Sequence, residues 1–269
     1  MQKHFDELGE QGYTILEDLM LREQVQEAVS ALKEIYEREK DVVSEHEPGT
    51  IRAFNLTARA EIFRQMLQFP ELVACMKHML DADYVLSDMG ARSALPGIAR
   101  QGLHRDGYTG RLTASSPAMA QSMFALCDFT EKNGGTHFVP GSHSSGITPD
   151  EVKPGQEKVL ICSAGTVLVY DHRMLHAGGT NSSDEIRYSV QGFHCNKVIK
   201  PFCDHTRSIP PEVVASASPL MRRLWGFEYQ SACEVEPRDF RVIDALNAKP
   251  VFEYGSREGR YIKNQPGDE

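Results

Sequence analysis

Apolar positions recur at three- and four-residue spacing in the first third of the chain and in short runs after that, which predicts helices first and sheet second. Between Leu21 and Lys40 the stripe Val25, Ala28, Val29, Leu32, Ile35 and Tyr36 marks the buried face of an amphipathic helix. A second helix is predicted over Ala60 to Gln68 and a third over Pro70 to Leu80, where proline opens the first turn without losing a hydrogen bond, since that N–H has no helical partner. From Tyr84 the pattern changes to short apolar runs punctuated by Gly, Pro and Ser. These are Tyr84 to Ser93, Ala99 to His104, Ala118 to Phe129, Lys158 to Cys162, Thr166 to Tyr170 and an alternating run from Arg187 to His194. Several short strands with turn signals predict a barrel or sandwich, so the expected class is mainly β with flanking helices. Helix signals return at Pro211 to Leu224. The expectation is one domain over residues 1–269, with a helical part over about 1–82, a β core over about 83–200 and a C-terminal segment over about 201–269.

Composition narrows the partners. A length of 269 residues is enough for one large domain with a sizeable core. The formal charge of −9 argues against a nucleic-acid or anionic-membrane surface, whose contacts are dominated by Lys and Arg, and favours a small-molecule substrate. The six cysteines, Cys75, Cys127, Cys162, Cys195, Cys203 and Cys233, form no Cys-x-x-Cys pair and read as reduced thiols. The charged N-terminus has no apolar core segment and no long uncharged apolar stretch follows, so the expected location is cytoplasmic.

The chemistry concentrates at His104-Arg105-Asp106, at His176 and at Arg187. Two neutral imidazoles and one carboxylate occupy one face of an octahedral Fe(II) and leave the opposite positions for a chelating cosubstrate and O2. On a strand, residues i and i+2 share a side, so His104 and Asp106 face inward together while Arg105 faces out. The third ligand has to come from a distant strand, and the β-rich run Gly165 to His176 ends at such a residue. Arg187 opens a further strand, from which a fixed guanidinium takes the distal carboxylate of a keto acid in a fork. Taken singly, each of these residues is more often a solvated side chain or a surface ion-pair partner; the conjunction carries the reading. His143, after Pro-Gly-Ser, reads as part of a structural turn, and His172 competes with His176 because it lies four residues earlier.

Four segments in the same order resemble the phytanoyl-CoA dioxygenase-like family of Fe(II)/2-oxoglutarate oxygenases. They are Glu10-Gln-Gly-Tyr-Thr-Ile-Leu-Glu-Asp18, the segment His104-Arg-Asp106, the block Phe129-Thr-Glu-Lys-Asn-Gly-Gly-Thr136-His-Phe-Val-Pro-Gly-Ser-His143, and His176-Ala-Gly-Gly-Thr-Asn181 with Arg187. The resemblance implies a double-stranded β-helix, the cupin-like jelly roll. It implies Fe(II) held by His104, Asp106 and His176, with His172 left out, and 2-oxoglutarate held at its distal carboxylate by Arg187. Thr136 matches a hydroxyl that assists the same carboxylate, although a Thr after Gly-Gly also simply starts a strand. Gln101 matches a position facing the cosubstrate, reachable if Gly102 bulges the strand.

The implied reaction couples O2 and the oxidative decarboxylation of 2-oxoglutarate, to succinate and CO2, to oxidation of a small molecule. The likeness is nearest to the branch acting on fungal alkaloids and meroterpenoids, except that Gly107 stands where that branch often carries a second Asp. Hydroxylation is the default expected outcome, with desaturation, ring closure or endoperoxidation open to the same site; retention of Asp106 disfavours halogenation. Tyr108, Met89 and Phe124 are candidates to line the substrate pocket, with core packing the alternative for each. Trp225 and Phe227 read as exposed aromatics at the pocket mouth or a homodimer contact. A non-catalytic cupin-like binding barrel is the competing class, and Arg187 separates the two, because a bare metal site has no use for a buried guanidinium.

Overall fold

The computed structural model describes residues 1–40, 49–106 and 117–227. The chain divides into two compact units, Met1–Phe202 and Cys203–Glu269, and each is described by itself. In the first unit, α1 (Gln2–Gln11) ends at Gly12, whose φ of 81° is a left-handed stop that glycine adopts without a Cβ penalty. Strand β1 (Tyr13–Leu16) follows, then α2 (Arg22–Arg38), which buries Val25, Ala28, Leu32 and Ile35 from the stripe that predicts it. Strand β2 (Thr50–Ala53), α3 (Glu61–Met66) and α4 (Pro70–Leu80) lead into β3 (Val85–Ala94) and β4 (Met119–Ala125). The remainder is β5 (His137–Phe138), the short turn of helix α5 (Ser142–Ser145), β6 (Lys158–Val159), β7 (Val167–Asp171), β8 (His176–Ala177) and β9 (Ser189–Cys195).

All pairings are antiparallel, in a six-stranded sheet of order β1-β7-β4-β9-β3-β2 and a three-stranded sheet of order β6-β5-β8. From β4 onward the chain passes back and forth between the sheets, which is the double-stranded β-helix, or jelly-roll, arrangement. Tyr13, Met123, Phe129, Phe138, Leu168, Tyr170 and Met174 form the apolar core between the sheets. The other face of the large sheet is covered as well, with α4 against β4 and β7, so every residue of β4 and β7 is buried.

Several boundaries differ from those the pattern predicts. Ala99 to His104 is not a strand: it touches the small sheet through an isolated His104–His176 bridge and a bond from Gln101 N to Gly178 O at 2.9 Å. The run Ala118 to Phe129 keeps strand only over Met119–Ala125, and Lys158 to Cys162 only over Lys158–Val159.

In the second unit, α6 (His205–Ser208) precedes a helical stretch that is broken in two, α7 (Pro211–Ser216) and α8 (Pro219–Leu224). The break is local chemistry. Pro219 pushes the residue before it out of helical geometry, and Ser218, now extended, caps α8 by accepting from Met221 N. Trp225 and Phe227 are 3% and 6% exposed, which corrects their reading as exposed aromatics. Cys75, Cys127, Cys162, Cys195 and Cys203 are free thiols. Among the described residues no helix is long and apolar enough to cross a membrane.

Candidate active site and metal centre

The site is built on the isolated bridge. His104 N donates to His176 O and His176 N to His104 O, both at 2.9 Å, so the two residues form a directly opposed antiparallel pair. Their rings meet with centroids 4.5 Å apart. Each ring is oriented from behind in the same way: the Nδ1 atoms lie 3.0 Å from Gly102 O and 3.1 Å from Met174 O, each a carbonyl two residues earlier. A proton on Nδ1 donating to that carbonyl leaves the Nε2 lone pair of each ring directed forward. Asp106 meets those atoms, with Oδ1 3.5 Å from His104 Nε2 and Oδ2 3.3 Å from His176 Nε2. Between the two ligand-bearing residues, Arg105 turns outward and donates to the carbonyls of Arg173, Ser142 and Ile147 at 2.6–3.0 Å, fastening this segment to its neighbours.

Without a metal, burial raises the Asp106 carboxyl, but His104 and His176, each protonated on Nε2 in that state, and the Gln121 amide donate to it, outweigh burial and hold the carboxyl well below the usual carboxylate range; a metal ion takes the place of the two Nε2 protons. The same Asp106 contact pushes His104 upward against burial. One nitrogen or oxygen from each of His104, Asp106 and His176 lies within 4.8 Å of the others, and among the described residues this is the only such group of three. A carboxylate and two imidazoles with free Nε2 atoms are the donor set Fe(II) takes in 2-His-1-carboxylate sites, so the residues fit the metal. His172 stands apart, buried with Nδ1 2.7 Å from Met119 O, and His143 lines a separate surface hollow with Asp171 and Arg173.

A cavity of about 300 Å³ opens in front of His104 and Asp106, with Arg52, Arg92, Gln101, Gln191 and Phe193 on its other walls. Gln101 and Arg92 also face a narrow recess whose far wall is Arg187. Arg187 is 5% exposed, and mutual backbone bonds with Ala94 at 3.0 Å extend the β3–β9 pairing ahead of the first residue of β9. Its guanidinium donates to Gly134 O and lies 4.8 Å above the Phe129 ring. Burial pushes it down to about 10, so it stays cationic at neutral pH, and its Nε has no partner among the described residues. A buried cation with a donor to spare fits a carboxylate ligand. The chain can approach this closely because it is glycine on both sides: a Cβ on Gly134 would meet Gly179 O at 2.6 Å, and one on Gly179 would meet Gly135 O at 2.6 Å.

The remaining candidates fall unevenly. Gln101 accepts from Gly178 N at 2.9 Å and borders both spaces. Thr136 is buried in the interior, its hydroxyl directed to Met123 Sδ at 3.4 Å. Met89 and Phe124 do not face the site. The register pairs Met89 with Gly192 and Phe124 with Val190, on the helix side of the sheet, while Gly90, Gln191 and Met123 share the inner side. Tyr108 lies outside the described residues. Four polar side chains at the site are absent from the sequence reading: Gln121, Tyr170, Arg52 and Arg92. Gln121 carries a signal, because a lone amide inside the apolar strand Met119–Ala125 has to be hydrogen-bonded once buried.

Jelly-roll core and cluster together define a class, the non-haem Fe(II)/2-oxoglutarate-dependent dioxygenases. The chain belongs to the phytanoyl-CoA dioxygenase (PhyH) family, which matches residues 8–189. It is therefore an enzyme, an oxidoreductase, which sets aside the non-catalytic barrel. Among similar proteins, dioxygenase trt7 of Aspergillus terreus is 26% identical over 76% of this chain and 69% of its own length. Dioxygenase olcK of Penicillium canescens is 29% identical over 73% of this chain and 69% of its own. The Fe(II)/2-oxoglutarate-dependent dioxygenase nvfF of Aspergillus novofumigatus is 31% identical over 71% of this chain and 65% of its own. Among solved structures, HygX of Streptomyces hygroscopicus with nickel, 2-oxoglutarate and hygromycin B bound superposes with a TM-score of 0.62 at 15% identity, covering 75% of this chain and 89% of that one. The carbocyclase SnoK of nogalamycin biosynthesis gives 0.60 at 19% identity, covering 73% and 84%. At these identities the two structures speak for the fold.

Proposed function

We propose that His104, Asp106 and His176 hold the iron, that Arg187 with Gln101 receives 2-oxoglutarate, and that the enzyme hydroxylates a small secondary metabolite in the cytoplasm. The observation that carries this is the reciprocal His104–His176 bridge with Asp106 across both Nε2 atoms, beside a buried guanidinium. When bound, iron supplies the activation of O2 that drives decarboxylation of the keto acid and oxidation of the substrate. The protein's own part is positional. The Gly102 and Met174 carbonyls hold the imidazoles in the metal-binding tautomer. Arg187 fixes the far end of the dicarboxylate, Gln101 lines both the recess and the cavity, and the 300 Å³ cavity admits a molecule of modest size.

The similar fungal dioxygenases support a secondary-metabolite substrate, and the chain's charge of −9 supports a small molecule over a polyanion. Thr136, whose hydroxyl is directed to Met123 Sδ, is the weakest candidate for assisting the same carboxylate. The scaffold does not dictate the product, since similar structures include a carbocyclase and an epimerase. Iron-loaded protein incubated with 2-oxoglutarate and a panel of metabolites is expected to release succinate in step with a product 16 mass units heavier than its substrate, as addition of one oxygen atom requires. His176→Ala is expected to lose the turnover. Succinate release undiminished in His176→Ala contradicts the site, and a coupled product lacking the added oxygen contradicts hydroxylation.

A further inference from the structure

We propose that Gln121, held in turn by Tyr170, is a positioning residue that sets the direction of the Asp106 carboxylate; the inference rests on the iron site proposed above. His104 is tied to β8 by two backbone bonds, but Asp106, two residues on, belongs to no strand, so no ladder aims its side chain. Strand β4, in the middle of the large sheet, supplies the constraint: Gln121 Nε2 donates to Asp106 Oδ2 at 2.8 Å. The amide has one consistent orientation. A carboxylate only accepts, so the NH2 group faces Asp106, and the amide oxygen takes the Tyr170 hydroxyl at 2.8 Å. Tyr170 sits directly opposite Gln121 in the β4–β7 register, and its ring meets the His176 imidazole edge-on at 5.3 Å.

Tyr170–Gln121–Asp106 thus links the carboxylate to two paired strands, and its first member also packs against the second imidazole. Gln121 and Tyr170 are each 1% exposed, and burying an amide and a phenol costs stability unless both are hydrogen-bonded. Their neighbours Met123, Leu168 and Met174 show that the same space accepts apolar side chains. The polar pair is explained by what it points at. Anchored to Gln121, the carboxylate keeps one rotamer while its remaining lone pairs face the imidazoles, which lowers the ordering cost of closing the three donors on a metal ion.

The test uses Co(II) as the probe, reading its dissociation constant and visible spectrum in the full chain. Gln121→Met keeps the side-chain length without the amide. It is expected to weaken Co(II) binding by about 10–100-fold and to change the cobalt band, while the metal-free protein still folds and melts at a lower temperature because the buried Tyr170 hydroxyl loses its acceptor. Tyr170→Phe, which removes one hydroxyl, is expected to weaken binding by a smaller factor and to add nothing in the Gln121→Met background, because both act through one link. Wild-type affinity and spectrum in Gln121→Met overturn the inference and leave the iron site standing. So does a Tyr170→Phe effect that persists in full in the double variant. Absence of tight Co(II) binding in the wild type, or its survival in Asp106→Ala, overturns the iron site and this inference with it.

Discussion

A guanidinium that is 5% exposed needs compensation for the water it gives up, and Arg187 receives part of it from Gly134 O and the face of Phe129. The rest is what the cosubstrate carboxylate supplies in the proposed complex. A forked, planar donor does this in a way that an ammonium does not, so Arg187→Lys is expected to raise the KM for 2-oxoglutarate about 10-fold or more, with a much smaller change in kcat. Steady-state kinetics at saturating substrate check this, and an unchanged KM would remove Arg187 from the cosubstrate site. The residue scale is also where the sequence was most legible. His104, Asp106, His176 and Arg187 are chemically distinctive types in a telling order, and the structure brings the first three within 4.8 Å and puts the fourth on the adjoining recess. The partners of Gln121 and Tyr170 are not legible, because a Gln and a Tyr in apolar strands give no sign of what they bond until the strands are in register.

At the scale of elements, the large sheet is covered on both faces, and that explains both an ambiguity and a property. With no polar face, strands such as β4 show no apolar–polar alternation, so sequence alone cannot say which parity points at the cavity, and for Met89 and Phe124 the register favours the core-packing alternative. Helix α1 falls inside the part expected to be helical, but no apolar stripe marks it out, because Leu8 is its one buried residue. Strand-like Ala99 to His104 turned out to be held by separate contacts rather than a ladder. On the helix-side face of β9, His194 is fully buried, 3.1 Å from Ser122 Oγ, and burial pushes it down to about 3. The unfolded chain takes up that proton near pH 6.5 while the folded chain refuses it, so folding carries no penalty above pH 6.5. Below it, stability is expected to fall by about 1.4 kcal/mol per pH unit from this group, levelling off near pH 3. Urea unfolding of wild type and His194→Gln at pH 7, 6 and 5 checks the sign. The variant should lose one proton's worth of slope, and identical slopes would contradict the assignment. His143 and His172, also pushed down by burial, contribute equally to both proteins and cancel in the comparison.

The jelly roll brings together segments far apart in the chain: a bridge joins 104 to 176, β4 reaches across to Asp106, and the segment leading into β9 brings Arg187 to the adjoining recess. The family assignment and the geometry meet at one claim, that a single ferrous ion on His104, Asp106 and His176 takes 2-oxoglutarate as its chelating partner. Anaerobic titration of Fe(II) into protein and 2-oxoglutarate tests it without any knowledge of the substrate. The account predicts a weak visible charge-transfer band that grows to one iron per chain and is absent in His176→Ala. A wild-type protein that gives no band, or a His176→Ala variant that gives the same one, would contradict it.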